Sequence, residues 1–239
     1  MGRAVPLRPV AVGLAVLGAV GGPGAGALPP AQAAGLAAKA PAIPSAAPLL
    51  IGRSALGPGW TVSAAAPRSV ASLACPQLHA RLSGAAVAPS AAASPTFADG
   101  SSGPFVTQTA YRYASATVAA RVWRAVDRSA LERCLARTLT EGTSAGVSFQ
   151  VTGARRLAAP ALRGPSVGGR RLPVAVEDAR FRIAAVGSSG GAQTDVWLDA
   201  VLVHAGPAIS ELAVSSAVTV PPARLEERLA RAIAARSAS

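Results

Sequence analysis

Asparagine is absent from this 239-residue chain, and lysine occurs once, at Lys39. Lysine and arginine together number 23 against 11 acidic residues, a formal net charge of +12 carried almost wholly by arginine. Excess Ala, Gly, Pro, Arg and Val with little Lys or Asn has the look of a GC-rich coding bias, which competes with any functional reading of the charge. Aromatic residues make up 4% of the chain. The arginines are scattered, with small pairs at Arg155-Arg156 and Arg170-Arg171. Nucleic-acid binding would cluster its charge among aromatics and polar base readers, so it is not expected here. Two cysteines and two histidines without close spacing exclude a zinc signature, and no metal or cofactor is expected. No Gly-rich loop opens a helix after a strand, so no phosphate cradle is visible.

Long apolar runs are also missing. Val10 to Val20 is too short for a transmembrane helix, which needs about 20 residues. With Arg3 and Arg8 before it and Ala31-Gln32-Ala33 after it, the run reads as a secretory signal peptide over residues 1–33, cleaved between Ala33 and Ala34. The membrane is then met only transiently; the alternative is tethering by an uncleaved N-terminal segment. Residues 34–48 are Ala, Pro and Ser without period and read as a linker. Residues 49–236 form the single expected domain, and 237–239 a tail.

What is present is organised around residues 105–139. Phe105, Thr107, Thr109, Tyr111 and Tyr113 alternate with Val106, Gln108 and Ala110, as a strand requires. After Ser115 the period becomes four: Val118, Val122, Val126, Ala130 and Cys134 line a helical stripe, with a break expected near Asp127 to Ser129 and an end at Gly142. Upstream, Leu49 to Leu56 reads as a short helix, Trp60 as a core plug, 61–71 as irregular, Cys75-Pro76 to Ser83 as a short helix, and 84–104 as a mobile surface loop. Downstream, strands are expected at 147–157, 173–186, 194–204 and 208–220, with loops at 163–171 and 187–191 and a turn at Gly206-Pro207. An amphipathic helix over 224–236 closes the chain, with Leu225, Leu229 and Ile233 on one face. The class is α+β: an antiparallel sheet of about five strands with helices on one face. An exported chain with two cysteines suggests one disulfide, Cys75–Cys134, worth about 4 kcal/mol on the loop-entropy model.

Catalytic patterns are weak. Ser144 and Ser189 each sit in a G-x-S-x-G string, but neither lies between a strand and a following helix, as a nucleophile elbow demands. His204 lies on the apolar face of its strand and reads as a packed residue, and His79 as solvent-facing. Glu177-Asp178 point to opposite faces of a strand. Asp195 and Asp199 share a face but lie roughly 13 Å apart, too far to act as a pair. No enzyme is expected, and a serine hydrolase using Ser144 or Ser189 with His204 is the weakest rival.

The order of Leu49-Leu50-Ile51, Gly59-Trp60, Cys75, Phe105-Val106-Thr107-Gln108, Ser115-Ala116, Cys134, a β-rich end and a basic amphipathic helix resembles actinobacterial extracytoplasmic sensor-like domains. The extracellular domain of PknH-type Ser/Thr kinases is the best known. The resemblance would cover about residues 49–236. It implies an α+β fold with helices packed on an antiparallel sheet and a cleft for an unknown ligand. That family commonly carries two disulfides, whereas this chain can form one; no kinase domain is present. Expected function is therefore that of a secreted, non-enzymatic sensor-like protein binding a small molecule or envelope component in a sheet groove. The alternative is an Arg-rich surface adaptor for acidic envelope polymers or lipids. Protein recovered from culture medium should begin at Ala34 and should offer no thiol to an alkylating reagent until it is unfolded and reduced; mass spectrometry reads both.

Overall fold

A computed structural model describes residues 42–63, 81–83, 89–126, 128–141, 148–158, 162, 166–167, 170–171 and 176–237. The signal segment, His79, Cys75 and Ser144 lie outside the described residues. No helix among the described residues is long and apolar enough to cross a membrane.

The strongest alternation builds the longest strands. β8 (Val176–Ser189), β9 (Ala192–Ala205) and β10 (Ala208–Ala217) form an antiparallel meander. The β8–β9 turn is tighter than the five-residue loop expected: Gly190 and Gly191 take φ of 56° and 82°, the two positive angles a two-residue primed turn needs, and only glycine adopts them freely. β4 (Phe105–Arg112) pairs with β10, and β5 (Ser148–Leu157) pairs with the outer side of β8. A register shift between Val151 and Gly153 bends β5 at the open edge of the sheet. With the exposed Arg155-Arg156 pair on the same strand, it blunts that edge against further pairing.

The sheet is larger than expected. Within 84–104, where a loop is expected, β2 (Ser90–Ala93) and β3 (Thr96–Ala98) both pair with β4, and β1 (Thr61–Ser63), in the stretch expected to be irregular, extends β3. Among the described residues the sheet therefore has eight strands. Pro95 separates β2 from β3, and Ser94, fully buried, spans the gap: its N–H donates to Gln108 O at 2.8 Å and its Oγ accepts the Gln108 N–H at 2.9 Å. Two two-residue strands, β6 (Ser166–Val167) and β7 (Arg170–Arg171), pair separately within the expected 163–171 loop.

Helices lie on both faces, not one. α1 (Ala116–Ala125) starts at Ser115, whose Oγ caps the Val118 N–H at 3.2 Å, and the stripe breaks ahead of α2 (Arg128–Glu141). Ala119, Val122, Trp123, Leu131 and Leu135 pack there on Tyr111, Phe181, Ile183, Leu202 and Ile209. The opposite face carries Val106, Val201, Val203, Leu212 and Val214, and α3 (Ala223–Ser237) covers it through Leu225, Leu229 and Ile233. Strand alternation makes both faces apolar in β9 and β10, so each requires its own cover. Trp60, 4% exposed, plugs the α3 side as expected.

The segment expected to form one helix from Leu49 to Leu56 is instead two 3-10 turns, Ala47–Leu49 and Arg53–Ala55. Ordered contacts begin inside the stretch read as linker: Ala46 is fully buried and its N–H donates to Ser90 Oγ at 3.0 Å. Gln108 ties this segment to the sheet. Its Oε1 accepts the Ile51 N–H at 2.6 Å, and its Nε2 donates to Leu49 O and Ser210 Oγ, each at 3.2 Å.

Phe181 has no exposed surface and sits under the α1–α2 layer. Phe181→Ala should lower unfolding free energy by about 3–5 kcal/mol in chemical denaturation, through lost burial and an unfilled cavity.

Candidate functional site

β8 and β9 each place a charged residue on the face that α3 covers. Arg182 and Asp199 are directly opposite in register, and the guanidinium grips the carboxylate through two nitrogens: Nε to Oδ1 at 2.8 Å and Nη2 to Oδ2 at 2.5 Å. Asp199 has no exposed surface. The same Nη2 lies 3.4 Å from Pro221 O, in the connection to α3, and 3.7 Å from Oε1 of Glu226 in the first turn of α3. One guanidinium thus joins two strands, a connection and a helix.

Two buried carboxyl groups share that cation, and it can neutralise only one of them. Burial, then a hydrogen bond to Asp199 and the Asp199 charge, push Glu226 up to about 9 against the attraction of Arg182 and Arg180. At neutral pH Glu226 is a carboxylic acid. Arg182 is itself pushed up, first by its hydrogen bond to Asp199. Beside this cluster, Arg180 pairs with Asp178 at 3.4 Å, and burial outweighs Arg180 in raising Asp178. Two carboxyls sharing a proton can perform acid–base chemistry where substrate reaches them. Here substrate reaches neither: Glu226 is 1% exposed on the side of α3 turned to the sheet, and Asp199 has no exposed surface. The cluster is a clamp.

The other candidates are dispersed. Ser189 ends β8 at the Gly190-Gly191 turn, and His204 sits near the far end of β9, roughly 40 Å away at strand rise. The structure does not bring Ser189 and His204 together. His204 is buried and stacks on Trp123, ring centroids 5.6 Å apart, and burial lowers its pKa. Asp195 is exposed while Asp199 is buried, so that pair is divided by environment as well as distance. No group of three or more His, Cys, Asp or Glu able to hold a metal occurs among the described residues. Cys134, packed against the α1–α2 core, carries no free thiol.

Arginine dominates the exposed charge, with Asp99, Glu177 and Asp195 also in solvent. Arg121, Arg124, Arg133 and Arg137 are exposed on α1 and α2, Arg155 and Arg156 on β5, and Arg224, Arg228 and Arg231 on α3. Several cap backbone carbonyls: Arg81 bonds Ala125 O, Arg228 bonds Leu56 O and Arg236 bonds Leu50 O. Meanwhile Asp199, Glu211 and Glu226 are buried. Sequence reasoning missed the clamp. Its signal was charge on the face of two adjacent strands that otherwise carries apolar residues, and Glu226 beside Leu225 in an apolar stripe.

No family model matches the chain, and no curated protein matches it.

Between 4.5 and about 9 the folded chain holds a proton on Glu226 that the unfolded chain has released. Stability from this group is complete below that window and is lost as pH rises through it. Glu226→Gln, which stays neutral, should flatten the decline in urea-unfolding free energy between pH 6 and pH 9. Asp199→Ala should cost about 3–5 kcal/mol by leaving Arg182 buried without its counter-charge.

Proposed function

We propose that the protein is a non-enzymatic, extracytoplasmic binding protein that holds acidic polymers or anionic lipid headgroups of the cell envelope on its arginine surface. One observation carries this reading. The fold withdraws Asp199, Glu211 and Glu226 into its interior and leaves arginines of α1, α2, β5 and α3 in solvent. Burial thus makes the exterior more basic than the composition alone. Arginine suits the task because its planar fork meets carboxylate and phosphate in two-point contacts and never loses its charge. Arg81 and Arg228 bond backbone carbonyls, which bring no negative charge to offset theirs.

A small-molecule groove of the kind the sensor-like resemblance implies has little room at the sheet centre, where α1–α2 and α3 lie on opposite faces. The separation of Ser189 from His204 removes the support for a hydrolase built on that pair.

The purified protein should bind an acidic polysaccharide and anionic lipid vesicles at low ionic strength, and its affinity should fall steeply with added salt, because exposed charges are screened over about 10 Å at 0.1 M. Co-sedimentation at stepped salt concentrations measures this. Failure to bind either polyanion at low salt would sink the reading.

A further inference from the structure

The three tryptophans have different fates. Trp60 and Trp123 are core residues, 4% and 2% exposed. Trp197 is only part-buried and belongs to neither of the two large apolar clusters. It points to the α3 side of β9, in line with Asp199, Val201 and Val203, but toward the strand end that Leu225, Leu229 and Ile233 do not cover.

The register explains why part of its indole stays uncovered. Its neighbours across the sheet are Ala184 on β8 and Ser216 on β10, and the next residue out is Gly153 on β5. None is large enough to cover a ring. A side-chain carbon added at Gly153 would meet no atom of the described residues within 4 Å, so they leave room on this side of Ala184. Polar groups border this floor. Asp195 is on the same face two residues away, about 7 Å along the strand, and Gln150 shares the row of Asp195 and Val186. Arg155, opposite Arg182, borders the other side, and all three are exposed. Val218, 65% exposed, stands at the rim, with its N–H bonded to Asp195 O at 2.9 Å and its φ at 75°, a conformation valine rarely adopts.

We infer that Trp197 is the platform of a carbohydrate site, on which a sugar ring of an acidic polysaccharide stacks while Arg155 takes its anionic group and Asp195 and Gln150 take its hydroxyls. This rests on the polyanion-binding reading and gives it an address. An indole presents a flat apolar face suited to the C–H face of a pyranose ring, and a carboxylate beside an amide and a guanidinium supplies both acceptors and donors for ring hydroxyls. A nucleic-acid platform would instead string several aromatics along a groove of uniform positive charge. Here a single indole has the carboxylate of Asp195 beside it.

The test is isothermal titration of the full-length folded protein and its Trp197→Ala and Gly153→Leu variants. The probes are an oligogalacturonate, neutral cello-oligosaccharide, polyglutamate and single-stranded DNA. Urea unfolding verifies that each variant is folded, which is expected because neither position serves the core. The inference predicts that oligogalacturonate binds, that Trp197→Ala weakens it about tenfold, as expected for loss of an aromatic platform, and that Gly153→Leu weakens it comparably. Polyglutamate binding should not change in either variant. If both variants bind oligogalacturonate as well as the parent does, the platform is overturned while the arginine-surface reading stands. If the parent binds no acidic probe, both fall. If the neutral sugar binds as tightly as the acidic one, the role of Arg155 is overturned. A Trp197-dependent preference for DNA would replace sugar with base stacking.

Discussion

The Arg182–Asp199 contact is the constraint on which the rest of the structure depends. A guanidinium and a carboxylate have been taken out of water at the junction of two layers, and each is tolerable there only because of the other. Their two-point geometry fixes β8 against β9 at one register. The remaining donor capacity of Arg182 reaches Pro221 O and Glu226, so the place where α3 begins is set by the same side chain. Glu226 completes the arrangement by staying neutral. Had both acids ionised, the pocket would hold an uncompensated negative charge; with one proton retained, the cluster balances. The apolar contacts of Leu225, Leu229 and Ile233 supply area, which is not directional, whereas the clamp supplies position.

The same economy of charge shapes the exterior. A chain with few acids that commits three to its interior has few left to pair with surface arginines. The exposed Arg231–Glu227 pair, one helical turn apart at 3.4 Å, is the kind of surface contact that contributes little. Core electrostatics and surface electrostatics are therefore two sides of one partition, and the basic exterior need not be attributed wholly to codon usage.

Much of the architecture was legible in the sequence because period carries it. The alternation in β4, β8 and β9 and the four-residue stripes of α1, α2 and α3 follow from which residues must avoid water. β2 and β3 were hidden for the converse reason. Ser90, the three alanines after it, Ser94 and Pro95 have neither β-branched bulk nor strong contrast between faces, and their strand state is imposed by pairing with β4. The side of the sheet each helix takes was hidden as well, since an amphipathic stripe says that a face is buried and not against what. The candidate site was less legible still. Asp199 and Glu226 are remote in sequence, and Arg182 reads as an ordinary outward residue until α3 is placed over it. Trp197 looks like any alternating strand residue. Its openness depends on Gly153, Ala184 and Ser216, which lie on three other strands.

The position of β4 beside β10 has a consequence for the order in which the molecule can assemble. β8, β9 and β10 are joined by short turns and can pair as soon as they exist, but β4 must wait for a partner about a hundred residues further along the chain, Arg112 meeting Ala208 and Phe105 meeting Ser215. During synthesis the strand that anchors the N-terminal third leaves the ribosome well before the surface that receives it. Gln108 then has no Ser210 to bond, and Leu49 lacks Ala208 to pack against. The N-terminal third therefore cannot complete its pairing before β10 arrives, and until then β4 presents an unpaired edge that other chains could meet.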